Sequence, residues 1–453
     1  MLAALPRKWW MVPLALAAGA ALRLWFIHAY PEVQGDPLIY GDIAKNWMLH
    51  GNYGLSSADG IRPTLIRLPG YPLFLVICFK LFGMEHYHAV MYMQTVVDLI
   101  SCLLIAGFTA KIASPRAAWV ALWLAVLCPF TANYAATPLT ETLELFSIAL
   151  ALFSFARLLE NPEWRWVLLL AFAFSYAAIL RPDGALLAVA FCPAIVYYGA
   201  DLWGARQMLR MAVVCGLLSV LPFIPWAIRN WKTFYVIQPL APRYAMDPGE
   251  YTDPGFNRWT KTVCADLTCT WEIYWNANSD VMPFDKLPDR AFDSQAQYEK
   301  TKQLFEDYNS TTTLTPEIDD RFAELAQERI DDNPLRYYIR MPLLRLADMW
   351  LRPRTELLWI ELRWWEYSKH NAETEFAFAY AALNLAYIVL ALIGFLRWPR
   401  FAGAMLLFIL LRCALLATIE APEPRYTLEC FPMLIALAGV ALDRKGDYLR
   451  LPL

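Results

Sequence analysis

The chain is poor in charge. Asp, Glu, Lys and Arg make up 18% of its 453 residues, against 58% hydrophobic residues. A soluble domain carries closer to a quarter charged residues, so an ordinary water-soluble globule is excluded. Positive charge is in no excess either: the net charge is -3, and nothing suggests nucleic acid as a partner. Histidine is scarce, at five residues; His86 and His88 lie two apart without metal-motif company and read as interfacial. There is no zincin helix, no phosphate-cradling glycine loop and no CxxC, which excludes a nucleotide-driven cytoplasmic engine. Tandem repeats and low-complexity tracts are lacking too, as is the internal symmetry expected of a transporter or flippase. Most of the nine cysteines sit in apolar runs and read as core packing.

What is present is a series of long apolar runs, the signature of membrane spans. Ten are expected: Trp9 to Ala29, His88 to Ala110, Ala117 to Ala136, Thr142 to Leu159, Trp166 to Leu180, Ala185 to Ala200, Met211 to Ile228, Thr374 to Leu396, Phe401 to Thr418 and Leu428 to Leu442. The first reads as a retained signal anchor behind Arg7 and Lys8. Gly70 to Gly83 is about two-thirds of a span and reads as re-entrant or interfacial. With that segment not crossing, one face collects Arg7, Lys8, Lys111, Arg116, Arg157, Arg165, Arg206, Arg210, Arg397, Arg400, Arg444, Lys445 and Arg450. By the positive-inside rule that face is cytoplasmic, as are both termini. The expected architecture is all-α: a polytopic membrane protein of about ten transmembrane helices with exterior juxtamembrane helices. Its parts are a membrane core over residues 1–230 with a first exterior loop at 30–87, an exterior region at 231–373, and C-terminal membrane helices at 374–453.

The opposite face gathers acids, prolines and lone arginines. Asp36 precedes Pro37, a pattern that starts a helix. Asp36 is therefore either a cap or a general base held at the membrane rim, and the pattern alone does not separate the two. Asp42, six residues on, does not share a helix face with it and is a second carboxylate candidate. Thr137-Pro138 starts another helix the same way and puts Glu141 in its first turn. There the dipole favours an anion, and a carboxylate could also orient a hydroxyl or a metal. Arg67, Arg181, Arg229 and Arg425 lie at the same rim. Each taken singly can snorkel to headgroups, whereas four together suit a phosphate, which guanidinium groups bind bidentately. Arg23, near the outer end of the first span, could join them. Tyr40, Tyr71 and Tyr426 are substrate-shaping candidates. In the exterior region, Leu335 to Leu351 and the Trp-rich Leu357 to Tyr367 mix aromatic residues with arginine and read as lying on the bilayer surface. Cys264 and Cys269, in a polar exterior segment, can form a disulfide.

These residues carry a resemblance. GDPLIYGDIAKNWMLHGNYG, RLPGYPLFLVICFKLFG, TPLTETL, ILRPDGALL, PWAIRNW and EPRYTLECFPMLIALAG occur in that order. The series is similar to the GT-C superfamily of integral-membrane glycosyltransferases, and looks nearest to bacterial relatives of the protein mannosyltransferases and lipid A aminoarabinose transferases. The resemblance implies a polyprenyl-phosphate-linked sugar donor, inversion at the sugar carbon, and a first-loop aspartate as base, matched here by Asp36. The acceptor is a lipid, a glycan or a protein hydroxyl. It also implies an inner-membrane enzyme with a periplasmic active site. Some members have an acidic pair where this chain has Pro37, which leaves a second first-loop carboxylate and any dependence on a divalent metal open. A ligase or polymerase using a diphosphate-linked donor remains an alternative, as does a lipid-linked sugar flippase.

Overall fold

The computed structural model describes residues 11–366 and 371–443. The basic terminal residues Arg7, Lys8, Arg444, Lys445 and Arg450 and the start of the first expected span lie outside the described residues, as does Tyr367. In chain order the helices are α1 (Met11–Ala29), α2 (Asp36–His50), α3 (Gly70–Phe82), α4 (Tyr87–Ile112), α5 (Pro115–Val126), α6 (Pro129–Asn133), α7 (Glu141–Glu160), α8 (Trp164–Leu180), α9 (Leu186–Trp203), α10 (Ala205–Val220) and α11 (Phe223–Phe234). They continue with α12 (Pro254–Val263), the single turn α13 (Leu267–Cys269), α14 (Gln295–Asn309), α15 (Pro316–Asp332), α16 (Met341–Leu351), α17 (Asn371–Leu396), α18 (Ala402–Leu416) and α19 (Phe431–Leu442). One antiparallel hairpin, β1 (Gly54–Ser57) with β2 (Gly60–Pro63), follows α2. The protein is all-α and polytopic.

Among the described residues, seven helical stretches are long and apolar enough to cross a membrane, and an eighth candidate is a bent pair. Two further expected spans are the shorter apolar helices α8, of 17 residues, and α18, of 15. Each of the ten apolar runs thus has a helical counterpart. The expected straight span at 117–136 is broken: α5 and the stretch Pro129–Ala136 meet at 44°. Pro129 has no N–H to continue the helical ladder, which accounts for the break. At 13 residues, α3 is too short to span.

The chain forms two compact units. The first comprises residues 1–250, 385–411 and 428–453, and the second 251–384 and 412–427. Inside the first, Arg23 is fully buried and ion-paired with Asp98 at 2.5 Å. Its Nη1 donates to the carbonyls of Gly19 and Val126, both at 2.8 Å. Arg23 therefore locks α1 to α4 and α5 and does not join a phosphate-binding group. Such a pair holds because burial would strand either charge alone. Gly70 marks another close approach: a Cβ there would stand 2.7 Å from the carbonyl oxygen of Ile179, so the start of α3 rests directly on the end of α8.

The second unit has its own apolar core, built around Phe256, Trp259, Phe305, Tyr308 and Phe322. Asp319 on α15 accepts hydrogen bonds from the backbone N–H groups of Gly255 and Phe256, and so satisfies the exposed start of α12. Cys264 and Cys269 are joined by a disulfide within this core.

Candidate active site

The N-terminus of α2 opens the site. Gly35, at φ 64°, is its N-cap, and no side chain caps the helix. Asp36 is therefore not a capping residue. Its Oδ1 accepts from Arg67 Nη2 at 2.6 Å, with the two side chains 32% and 19% exposed. One helical turn on, the Tyr40 ring lies under the Arg67 guanidinium, 5.6 Å from its centre, and meets Tyr71 edge-on at 5.1 Å. Burial, above all, pushes the Tyr40 hydroxyl up to about 12; Arg67 and Arg181 pull it down, while Asp36 and Glu141 push it up. All four charged groups thus act on one phenol, and the structure brings Asp36, Arg67, Tyr40, Tyr71, Glu141 and Arg181 into one neighbourhood.

Arg67 is placed by its own loop. Tyr53 donates its hydroxyl to the Arg67 carbonyl at 2.9 Å. Asp247 accepts from Leu65 N–H at 2.8 Å and from the Thr64 hydroxyl at 3.1 Å. Arg229 donates to the carbonyls of Tyr53 and Thr64, at 2.6 and 2.8 Å, and lies over the rings of Tyr53, Trp226 and Phe234. Its guanidinium is committed to backbone oxygens. Arg229, expected as a phosphate ligand, here clamps the loop that presents Arg67. Asp42 is also turned elsewhere. Its two oxygens accept from the Ser56 hydroxyl and N–H at 2.7 and 2.6 Å, pinning the hairpin to α2. Asp42, expected as a second catalytic carboxylate, has a structural role here.

The wall opposite is set by a fully buried amide. Gln94 accepts from the Tyr71 hydroxyl at 2.6 Å and donates to the carbonyls of Thr137 and Tyr134 at 2.8 and 3.2 Å. It thereby fixes the bend that leads into α7. That helix begins at Glu141 rather than at Thr137-Pro138, with Thr140 as its N-cap.

Behind the bend, Arg181 stands among four carboxylates: Asp183 at 3.4 Å, Glu144 at 3.7 Å, Glu141 at 3.8 Å and Glu429 at 3.9 Å. Burial works against its charge, but Asp183, Glu144, Glu429 and Glu141 outweigh it and hold Arg181 well above the ordinary arginine range. Four carboxyl groups thus surround one guanidinium. Arg181, expected as an anion receptor, is here the counterion of these acids. Glu144 and Glu429 were not singled out in the sequence. The signal for Glu144 was a second carboxylate one turn beyond Glu141 in an apolar helix, where an ionisable group is functional by default. Glu429 sat inside the EPRYTLEC motif. Among the described residues no three of His, Cys, Asp and Glu are arranged to hold a metal ion.

Arg425 and Tyr426 belong to the second unit. Glu423 accepts from Arg425 Nη2 at 3.0 Å and from the Tyr426 hydroxyl at 2.8 Å. Arg425 therefore already has a carboxylate partner.

A rim carboxylate paired with a guanidinium over a tyrosine wall, on a polytopic helical scaffold, fits a membrane group-transfer enzyme. Residues 63–226 match the family model described as dolichyl-phosphate-mannose-protein mannosyltransferase. The matched segment, somewhat over a third of the chain, holds Arg67, Tyr71, Glu141, Glu144, Arg181 and Asp183; Asp36 and Tyr40 lie before it. Over this segment the resemblance to the protein mannosyltransferases is borne out. No curated protein matches the chain. Among solved structures, ArnT from Cupriavidus metallidurans bound to undecaprenyl phosphate is similar at 16% identity and a TM-score of 0.42, over 96% of this chain and 78% of that one. The oligosaccharyltransferase AglB from Archaeoglobus fulgidus, in complex with an inhibitory peptide and a dolichol-phosphate, is similar at 12% identity and a TM-score of 0.49, over 96% of this chain and 50% of that one. Both are distant likenesses.

Proposed function

We propose that the protein is a glycosyltransferase that moves a sugar from a polyprenyl-phosphate-linked donor to an acceptor hydroxyl, with inversion, on the exterior face of the membrane. The observation that carries the reading is the Asp36–Arg67 pair at the start of α2, with Tyr40 and Tyr71 beneath it. The donor class is supported by the matched family, whose description names a dolichyl-phosphate sugar. The exterior placement rests on the basic loops, which gather on the other face.

An acceptor hydroxyl is a poor nucleophile, and a carboxylate within hydrogen-bond reach activates it. The Asp36 carboxylate, held by Arg67, takes the acceptor proton. The acceptor oxygen attacks the anomeric carbon from the side opposite the phosphate. The bond from that carbon to the phosphate oxygen breaks, its electron pair leaves on the phosphate, and polyprenyl phosphate is released. Arg67, beside the base, meets the charge that grows on the departing oxygen. Holding donor and acceptor at one rim supplies the proximity contribution.

The test is transfer from a panel of polyprenyl-phosphate sugars by purified enzyme in lipid, for wild type and Asp36→Asn. Release of polyprenyl phosphate by wild type, largely abolished in a folded variant, supports donor class and base together. Release only from diphosphate-linked donors moves the protein to the ligase class, and lipid translocation without transfer makes it a flippase.

A further inference from the structure

The helix α16 is built inside out. Its inward positions are Met341, Arg345 and Met349, followed by Arg352, and the charged members of this set each make hydrogen bonds within the second unit. Arg345 donates to the carbonyls of Lys261 and Cys264, and Arg352 to the carbonyl of Leu362. Asp348 accepts from the N–H of Leu267. Four outward positions are apolar: Leu335 and Ile339 in the preceding turn, then Leu343 and Leu351, are between 53% and 68% exposed, while the exposed Arg340 sits near the start of the helix. A helix facing water carries the reverse pattern.

The depth of this helix is set by α17. Asn384 donates to the carbonyl of Trp350 at 2.7 Å and accepts from Arg354 at 3.1 Å. Asn384 stands 12 residues before the end of α17 at Leu396. At 1.5 Å per residue that is ~18 Å along the axis, in a hydrocarbon layer ~30 Å thick. With that layer ending at Leu396, Asn384 lies ~12 Å inside its other boundary; sliding the 26-residue helix the other way sinks Asn384 further. The C-terminal end of α16 is bonded to that level. Its start is at the polar side, where Arg336 pairs with Asp293.

We propose that α16 descends obliquely into the bilayer and presents Leu335, Ile339, Leu343 and Leu351 to the acyl chains of membrane lipids. This goes past the surface-lying helix expected from the sequence and is independent of the catalytic reading. Arg345, Asp348 and Arg352 point away from lipid and are hydrogen-bonded, as polar groups at that depth must be.

The test uses the full chain in phosphatidylethanolamine–phosphatidylglycerol nanodiscs with photoactivatable phospholipids. One lipid carries a diazirine midway along an acyl chain, the other in the headgroup. Labelled residues are mapped by mass spectrometry, with the exposed Leu385 and Leu392 of α17 as the lipid-facing reference. The mid-chain probe should label Leu343 and Leu351 at a yield within about threefold of that reference. In a folded Leu343→Asp/Leu351→Asp variant this labelling should fall about fivefold or more, with α17 unchanged. Labelling of α16 by the headgroup probe alone would return the helix to the surface and overturn the proposal. So would no labelling of α16 beside a labelled α17, or cross-links from α16 to a second copy of the chain. The wild-type map decides the matter even if the variant fails to fold.

Discussion

Removing the Asp36 carboxylate separates a structural from a chemical role. The pair with Arg67 is 2.6 Å long and partly open to solvent. At an effective dielectric of about 20, two charges ~4 Å apart attract by ~4 kcal/mol before screening and side-chain entropy are counted. For a rim pair the net is about 1 kcal/mol or less. Asp36→Asn should therefore lower thermal stability only modestly. As the base, Asp36 should be worth about 10²–10⁴ in rate, or ~2.7–5.4 kcal/mol. The chemical loss thus exceeds anything the lost ion pair explains. Arg67→Gln should act on donor kcat/KM, with a rise in donor KM that Asp36→Asn does not share. The double variant should be worse than either single one. The assay is initial-rate release of polyprenyl phosphate in nanodiscs, with folding followed by thermal shift. The reasoning is refuted if Asp36→Asn keeps more than about a tenth of wild-type kcat at saturating donor. It is equally refuted if the two single variants and the double share one kinetic profile, since Asp36 would then act only by holding Arg67.

Three further outcomes follow from the geometry. Asp42→Asn should lower the melting temperature through loss of about 1 kcal/mol at the hairpin, while kcat changes less than about threefold; a loss comparable to that of Asp36→Asn would restore Asp42 as a catalytic candidate. Arg23→Ala should destabilise by about 3–5 kcal/mol because it strands Asp98, whereas Arg23→Met/Asp98→Leu should recover most of that; equal damage from both would show that the ion pair is not what holds α1. For Asp253, burial first and Asp319 second raise the carboxyl from 3.8 to about 6, against the pull of Asn278. A raised acid binds its proton more tightly when folded, so stability falls as pH rises from about 4 to 6 and stays lower above that. The full shift corresponds to about 3 kcal/mol, and solvent screening leaves roughly 1–2. Asp253 has a φ of 45°, a conformation asparagine tolerates well. Asp253→Asn should therefore raise the melting temperature at pH 7.5 more than at pH 4, and a flat difference across that range would count against the assignment.

The membrane scaffold was legible because apolar runs report directly on spans, and α3 was legible as non-spanning from its length alone. The break before Pro129 was signalled by that proline but hidden inside an apolar run. At the site, the rim position of Asp36, Arg67 and Glu141 could be read from their place beside spans. Which charges are already spent could not. The partners of Arg229 include the Tyr53 carbonyl, 176 residues away, and those of Arg23 include Asp98, 75 residues away. No local pattern encodes such pairings, and the surplus of acid around Arg181 likewise becomes visible only when Glu144 and Glu429 meet it in space.

Gln94 couples two surfaces that a redesign of substrate range would treat as separate. Its one amide holds the Tyr71 hydroxyl on one side and the bend before Glu141 on the other. The aromatic wall and the acidic wall therefore share one degree of freedom. Enlarging the site at Tyr71 would release an oxygen of Gln94 inside a sealed interior, and the amide would turn to satisfy it, carrying the entry of α7 along. Variation in substrate size on this scaffold is then easier to reach by changing Arg67's loop, which is fastened by Asp247 and Arg229 and leaves that linkage untouched.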